Sequence, residues 1–456
     1  MTDDRHEMPH PLLARAAWLT GAQTQRVLVA LTAEGHGARA VGGAVRNTLL
    51  ELPVADVDIA TDARPEQVMV LAARAGMKTI PTGIAHGTVT VIAGGQPYEV
   101  TTLRRDVETH GRHATVAFTD DWRADAERRD FTMNALYCDA RGVLFDPVGG
   151  LVDLERRRVR FIGDAHARIA EDYLRILRFF RFSAEYGEGI VDAVGLEACI
   201  AEQEGLGQLS AERVRAELLR LLVARHVRKV IDVLSATGLL ALLLGGTTDV
   251  RAFHRLHDIG RVLAADETVF SSKAIDHDPA PQLSSAYAHL ERSECVDALL
   301  GLAALAVSAP EDGERLMQRL RLSREEASRL VGLASAARAW GRVTGGRGAE
   351  PDVLVYRHGR TLAADALKLA WARSSEAVTY PGWRAAARSV ARAAERKLPF
   401  SGADVVALGV APGPRVGDVL RAFEAWWIEA GFPEDELGNH AMLAQLAQSG
   451  NMVSKA

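Results

Sequence analysis

An α+β fold follows from two features of the sequence. Apolar and polar residues alternate between about Arg39 and Asp146, and from Asp164 onward the pattern turns helical and rich in Ala, Leu, Arg and Glu. Almost no β-branched runs occur after Asp164, which confines the sheet to a head and leaves a long helical body behind it. At 456 residues the chain is too long for one typical core. Hydrophobic content of 48% and charged content of 25% describe an ordinary globular protein.

Taken in chain order, the strands expected are 38–42, 54–60, 87–92, 98–103 and 136–139. Between the second and third, residues 65–75 read as a helix opening on Thr61/Asp62, with Pro65 in its first turn. Segment 210–225 reads as an amphipathic helix, and Ser210-Ala211-Glu212-Arg213 starts it in the manner of a cap. Asp276-His277-Asp278-Pro279-Ala280-Pro281 is the best linker. Further on, Pro412-Gly413-Pro414 precedes another helix carrying Trp426-Trp427.

Several classes are excluded or disfavoured. No apolar stretch is long enough to span a bilayer. Residues 1–10 are polar and carry Asp3, Asp4 and Glu7, unlike a signal peptide. The three cysteines, Cys138, Cys199 and Cys295, are scattered without CxxC spacing, which fits a reducing cytoplasm. A net charge of -5 argues against indiscriminate coating of nucleic acid but leaves room for a local basic patch.

The chemistry concentrates in short motifs. Gly42-Gly43-Ala44-Val45-Arg46 is followed by Asp56-Val57-Asp58-Ile59. Adjacent glycines let the backbone approach phosphate, and Arg46 adds a planar positive fork. On a strand, Asp56 and Asp58 project to the same face. Two such carboxylates repel unless a divalent cation lies between them, and oxygen-only ligation suits Mg2+. Either element alone is common in turns; together, joined by the apolar Leu49-Leu50, they point to a nucleoside triphosphate bound with Mg2+. Glu99, in Tyr98-Glu99-Val100, can face this pair if the strands are neighbours, either completing a two-metal site or acting as general base. Otherwise it is a surface residue of an edge strand.

Arg128-Arg129-Asp130-Phe131-Thr132-Met133-Asn134-Ala135 offers arginines for a triphosphate, and Asn134 as a donor to sugar or phosphate. Asp146-Pro147-Val148-Gly149-Gly150 reads as a structural turn between head and body. Asp172, Arg175, Arg178 and Arg181 then recur every third residue on an expected single helix. Each step falls short of a full turn by roughly 60°, so Asp172 and Arg175 share a polar edge with Arg178 beside them, and Arg181 lies far around.

Read in order, GGAVRN…DVD, YEVTTLR, RRDFTMNAL, DPVGGLVDL and EDYLRILRFFRF resemble the class II tRNA nucleotidyltransferase and bacterial poly(A) polymerase superfamily. The resemblance implies a polymerase-β-like nucleotidyltransferase head, a mixed sheet with flanking helices, followed by an all-α neck, body and tail. It divides the chain into a head (1–155), a neck with a base-reading helix (156–225), a body (226–345) and a tail that binds tRNA (346–456). Asp56 and Asp58 match the metal-binding carboxylates, and Gly43, Arg46 and Arg129 match nucleotide-phosphate positions. Asp172, Arg175, Arg178 and Arg181 match the neck helix that reads the incoming base.

That last role has a physical rationale. Cytosine and adenine both present an exocyclic amine beside a ring-nitrogen acceptor, whereas guanine and uracil present a carbonyl and an N–H. An aspartate acceptor beside an arginine donor complements the first pair and opposes the second.

Within the superfamily, Thr82–Val91 and the 105–120 stretch with Gly111-Arg112-His113 resemble CCA-adding enzymes, where the latter is a flexible loop linked to the switch from CTP to ATP. The tail segments 399–404 and 413–417 resemble some CCA enzymes more weakly. The expected activity is addition of CCA to tRNA from CTP and ATP. Poly(A) polymerase, or a partial C-adding or A-adding enzyme, is the alternative. Asn47 departs from the family, whose first motif carries aspartate there, and this removes the charge on which any ion pair of that aspartate rests. Two readings from other classes are weaker: a degenerate binding protein, opposed by the intact Asp56/Asp58 pair, and an HD-type phosphohydrolase prompted by His257-Asp258, with His254 as its sole support.

Overall fold

The expected strands form and gather into one sheet, in a computed structural model that describes residues 8–110, 113–265, 296–340 and 350–449. In chain order the strands are β1 (Ala38–Val41), β2 (Asp58–Thr61), β3 (Lys78–Gly83), β4 (Thr88–Ala93), β5 (Gln96–Thr102), β6 (Arg104–His110), β7 (His113–Phe118), β8 (Tyr137–Cys138) and β9 (Leu144–Phe145). Seven of them make a mixed sheet in the order β3-β4-β5-β2-β1-β8-β9, and β6 and β7 form a separate two-stranded ladder. The β2/β5 pairing is parallel and the other pairings are antiparallel. Helices Ala22–Thr32 and Pro65–Arg74 cover β4, burying Val27, Leu28, Leu31, Val68 and Leu71 at helical spacing.

Three expectations need correction. The strand expected over 54–60 begins only at Asp58. Glu51 takes a positive φ of 55°, and Pro53 follows it, so the chain reaches the sheet late and Asp56 precedes the strand. The 105–120 stretch, expected as a loop, pairs its backbone as β6 and β7. The edge strand β3 went unread because its residues are largely exposed and polar and include Pro81, which an edge tolerates. The helix Pro65–Arg74 opens two to three residues later than expected, at Arg64, whose backbone N–H donates to the Gln67 side chain at 2.8 Å.

The neck is two helices, not one: Ala165–Glu171 and Leu174–Glu185. Asp172 breaks them with φ -157° and ψ 103°, its carboxylate accepting from the Leu174 N–H at 3.1 Å. A short acidic side chain competes with helical bonding in this way. The helix expected from Ser210 runs over Ala211–Leu222, but Ser210 stands at its N-cap position without a side-chain cap bond. The run at Phe131 is fastened to the neck from two sides. Thr132 N donates to Arg160 O and Ile162 N to Asp130 O, and Phe131, Phe161, Phe179 and Phe182 form one buried aromatic cluster.

The described residues divide into two compact units, the second taking in Ala265 and the residues from Gly332 onward, a boundary ahead of the expected one at 346. Its core includes Phe400, Val405, Phe423, Trp427 and Leu443. Ser401 and Asp404 form a capping box, and the expected Trp426-Trp427 helix is Pro414–Glu429. The expected linker at 276–281 lies outside the described residues. No helix of the described residues is long and apolar enough to cross a membrane.

Gly149 and Gly150 have the structural role expected of them. Gly149 takes a φ of 77°, and a Cβ on Gly150 would lie 2.1 Å from the Thr132 carbonyl oxygen. Alanine's better helix propensity contributes about 1 kcal/mol, whereas overpacking against main chain costs about 1–3 kcal/mol. Gly150→Ala is therefore expected to lower the melting temperature by several degrees; an unchanged thermal melt contradicts this close approach.

Candidate active site

Strand β1 delivers the chain into Gly42, whose φ of 71° and ψ of -117° only glycine adopts readily. Gly42 N donates to Leu136 O at 3.1 Å, which ties the turn to the neighbouring β8 segment. The helix Gly43–Leu49 starts at once, and a Cβ on Gly43 would meet nothing nearer than an Arg46 Nη2 at 3.9 Å, so this face is open.

The carboxylates meet as far as the sheet allows. Parallel pairing sets Asp58 of β2 opposite Glu99 of β5, with Asp56 on the segment leading in. Burial, then repulsion from Asp56 and Glu99, pushes the Asp58 carboxyl up to about 6, against a pull from Arg129. Among the described residues neither Asp56 nor Asp58 has a hydrogen bond or salt bridge, so both retain their oxygens for a ligand. This donor set is hard, anionic and oxygen-only, and it fits a divalent cation. No three His, Cys, Asp or Glu side chains converge into a metal-holding group among the described residues, so Glu99 is a neighbour of the pair rather than a third preformed ligand.

Arg46 and Asn134 are deeper than a surface phosphate site. Arg46 is 7% exposed and donates to Asn134 Oδ1 at 2.6 Å, to Asn47 Oδ1 at 3.1 and 2.8 Å, and to the Tyr186 hydroxyl at 2.8 Å. Burial lowers its pKa, partly offset by Tyr186, Asp130 and Glu185. Asn134 in turn donates to Asp130 Oδ1 at 2.9 Å. Arg129 is more available: its Nη1 lies 3.9 Å from where a Gly42 Cβ would be, and its charge reaches Asp58.

In the neck, every base-reading candidate has an opposite charge beside it. Asp172 accepts from Arg213 at 2.7 Å. Arg175 pairs with Glu171 and donates to Arg168 O at 2.6 Å. Arg178 holds Asp130 through Nε and Nη2 at 2.8 and 2.6 Å, and Arg181 donates to Glu217 at 2.6 Å. The Arg175 N–H donates to the Asp172 carbonyl at 2.9 Å, but no bond joins the two side chains, each of which is engaged by its flanking partner instead. The Asp172 carboxylate adds to the charges that favour the Arg178 guanidinium.

Sequence reasoning missed the supporting groups Asp125, Asp130, Tyr137, Tyr186, Arg213 and Glu217. One signal was available: Asp125 stands three and four residues before Arg128 and Arg129, and it binds both, at 3.0 and 3.1 Å. The histidines prompting the phosphohydrolase reading are engaged elsewhere. His254 bonds Asp232 at 2.7 Å and Arg228 at 2.8 Å, Asp258 pairs with Arg228, and His257 is buried against the Phe253 ring.

Known proteins resemble this chain over most of its length. A family model described as the poly A polymerase head domain matches residues 38–160, and one described as a probable RNA and SrmB-binding site of polymerase A matches 195–249. The chain is 32% identical to CCA tRNA nucleotidyltransferase 1, mitochondrial, of Mus musculus over 415 residues, covering 89% of this chain and 86% of the relative. It is 33% identical to the Danio rerio protein of the same name, covering 90% of this chain and 87% of that one. It is also similar to the solved structure of Bacillus stearothermophilus CCA-adding enzyme in complex with CTP. The TM-score there is 0.67 at 25% identity, over 95% of this chain and 98% of the other.

The Asp58 shift has a measurable sign. A carboxyl held at about 6 when folded and 3.8 ordinarily takes a proton more readily in the folded chain. Its contribution is therefore full below the lower value and lost as pH rises through the upper one. A shift of this size corresponds to at most about 3 kcal/mol, reduced by solvent reaching the half-buried group. In chelator, Asp58→Asn is expected to melt higher than the parent at about pH 7.5, with the gap closing toward about pH 4. Equal melting at the higher pH contradicts the crowding of the three carboxylates.

Proposed function

The chain belongs to the CCA tRNA nucleotidyltransferase family, and from that membership we propose that it adds CCA to the 3′ end of tRNA, using CTP and ATP and releasing pyrophosphate. The observation that carries the reading is the Asp56/Asp58 pair beside the Gly42-Gly43 turn, with Arg129 reaching both. No nucleic-acid template is needed, because Asp172 and Arg175 supply an acceptor and a donor matched to cytosine and adenine.

In this reading the tRNA 3′-hydroxyl attacks the α-phosphate and pyrophosphate leaves. Asp56 and Asp58 are the residues that would hold Mg2+, which when bound would lower the hydroxyl's pKa and neutralise charge on the phosphates. Glu99 stands opposite Asp58 in the strand pairing, which supports it as the group that accepts the hydroxyl proton in this reading. Gly43 leaves room for the triphosphate, Arg129 grips it, and Arg46 with Asn134 sets the floor beneath it. Arg178 and Arg181, braced by Asp130 and Glu217, flank the base. The helical tail, from 346 on, is assigned to tRNA shape and backbone. A cytoplasmic location suits the buried thiols of Cys138 and Cys199, although the matched mouse and zebrafish relatives are named as mitochondrial.

The experiment is incubation of the purified protein with Mg2+ and tRNA lacking its 3′ end, supplying CTP, ATP or both, and sequencing the products. Addition of CCA that then stops is expected, with Asp58→Ala reduced to background while still binding tRNA. A long A tract favours the poly(A) polymerase reading; C alone or A alone identifies a partial enzyme; near-normal turnover by Asp58→Ala overturns the metal assignment.

Base choice has its own test. Asp172→Ala and Arg175→Ala are expected to weaken discrimination against UTP and GTP by about tenfold or more, since each removes one partner of a charge-assisted hydrogen bond. Single-nucleotide incorporation rates with each triphosphate measure this, and unchanged discrimination refutes the protein-template role.

A further inference from the structure

We infer that Asp125 and Tyr137 are positioning residues that clamp the Arg129 guanidinium so that its Nη1 edge faces Gly42 and the phosphates of the incoming nucleotide, an inference that rests on the nucleotidyl transfer proposed above. The clamp grips two of the three guanidinium nitrogens. Arg129 Nε donates to the Tyr137 hydroxyl at 3.1 Å, and Nη2 donates to Asp125 Oδ2 at 3.1 Å. The Tyr137 hydroxyl donates onward to the same Oδ2 at 2.8 Å. A phenol has one proton to give and lone pairs to receive, so these bonds fix a single direction around the ring of contacts. Nη1 is the nitrogen left over: it has no hydrogen bond among the described residues and lies beside Gly42.

The base of the clamp is rigid. Tyr137 lies in β8, opposite Val41 of β1, which runs directly into Gly42. The Arg129 grip and the glycine turn thus share one pair of strands. Asp125 is held from the other side, in the helix Trp122–Glu127, whose first turn is capped by Asp121 through Arg123 N and Ala124 N at 2.8 and 3.3 Å. Trp122 packs edge-on against the Tyr137 ring at 5.5 Å. Asp125 is 1% exposed, and its other oxygen accepts from Arg128 Nε at 3.0 Å and, more weakly, from Arg104 N at 3.4 Å.

Charge points the same way. Within the clamp one buried carboxylate faces two arginines, leaving one positive charge in excess on the Arg129 side, where it also reaches Asp58. Although burial opposes it, the Arg129 and Arg128 guanidiniums keep the Asp125 carboxyl ionised. Burial first, with Asp125 beside it, keeps the Tyr137 phenol protonated. An unclamped arginine samples many rotamers, and ordering them falls to the ligand; here the protein has ordered them beforehand.

The test uses the full chain and inorganic tripolyphosphate, which has phosphates but no base or sugar, titrated calorimetrically in Mg2+. Tyr137→Phe keeps the ring and its packing but removes the hydroxyl, and Asp125→Asn keeps the shape but removes the charge. Tripolyphosphate affinity is expected to fall about threefold in the first and about tenfold in the second. KM for CTP and ATP should rise together, with discrimination against UTP and tRNA affinity unchanged. In an Arg129→Ala background the Tyr137→Phe effect should vanish, because the two act through one interaction. Unaltered tripolyphosphate binding by a folded Tyr137→Phe protein, or an effect that persists without Arg129, overturns the inference. Should Asp125→Asn fail to fold, Tyr137→Phe and its double mutant still decide it. If the parent protein does not extend tRNA, the transfer reading fails on that result, while the calorimetry still judges the clamp.

Discussion

The site is organised around one carboxylate, Asp130. It accepts from Arg178 through two nitrogens, from Asn134 Nδ2 and from the Phe131 N–H, and these donors hold its carboxyl down at about 2 although burial works against them. Asn134 passes the connection to Arg46, and Arg46 passes it to Tyr186 at the end of the same helix that carries Arg178. A closed circuit therefore joins the glycine turn, the Arg128–Asn134 run and the neck. Replacing a largely buried ion pair of this kind with apolar groups is often neutral for stability, whereas removing one partner leaves a costly orphan charge. Its value lies in fixing where each group stands.

The same logic extends along the neck. Four candidate base-reading side chains, three cations and one anion, stand close together, and each has a counter-charge from another segment: Arg213, Glu171, Asp130 or Glu217. Without those partners three guanidiniums on one short stretch would repel one another and splay into water. With them, the polar edge is set in advance, and under the proposed base-reading role a mismatched base would have to break an existing arrangement as well as fail to form a new one. Preorganisation of this kind gives selectivity at little cost to binding. It also accounts for the break at Asp172: a continuous helix would direct its bond to Leu174 N back into the helical ladder and alter the reach to Arg213.

Much of this was legible in the sequence, and the unread parts have physical reasons. Alternation located the central strands, and the Asp58–Glu99 neighbourhood followed once β2 and β5 were placed side by side. Asp56 was misplaced onto a strand because alternation ignores the turn chemistry at Glu51 and Pro53. β3 escaped because an exposed edge needs no apolar face. The depth of Arg46 was invisible for a different reason: a charged residue in a glycine motif looks like a ligand until tertiary partners, here from beyond position 130, are known. Asp130 stood inside a recognised run yet carried no periodic signal of being the hub. Glu217 and Arg213 lie on an ordinary amphipathic helix, where an inward charge is indistinguishable from a solvated one until its partner across the fold is seen.

Asn47 shows what such partners change. Its Oδ1 accepts from Arg46 Nε and Nη2, the two bonds an aspartate would also accept, so the orientation of Arg46 survives the missing charge. The counter-charge reaches Arg46 instead from Asp130 and Glu185. What an aspartate lacks is a donor. Asn47 Nδ2 donates to Pro53 O at 2.8 Å, and Leu52 N returns to Asn47 O at 2.7 Å, which stitches the segment ahead of Asp56 to the helix that carries Arg46. Arg46 Nε and Nη2 facing one end of the amide and the Pro53 carbonyl facing the other also assign its orientation, since only an oxygen can face the guanidinium and only an NH2 can face a carbonyl. Asn47 thus acts as a tether on the segment that leads to the first carboxylate, while the orientation of Arg46 is held by Asn134 and Tyr186, groups the sequence places far away.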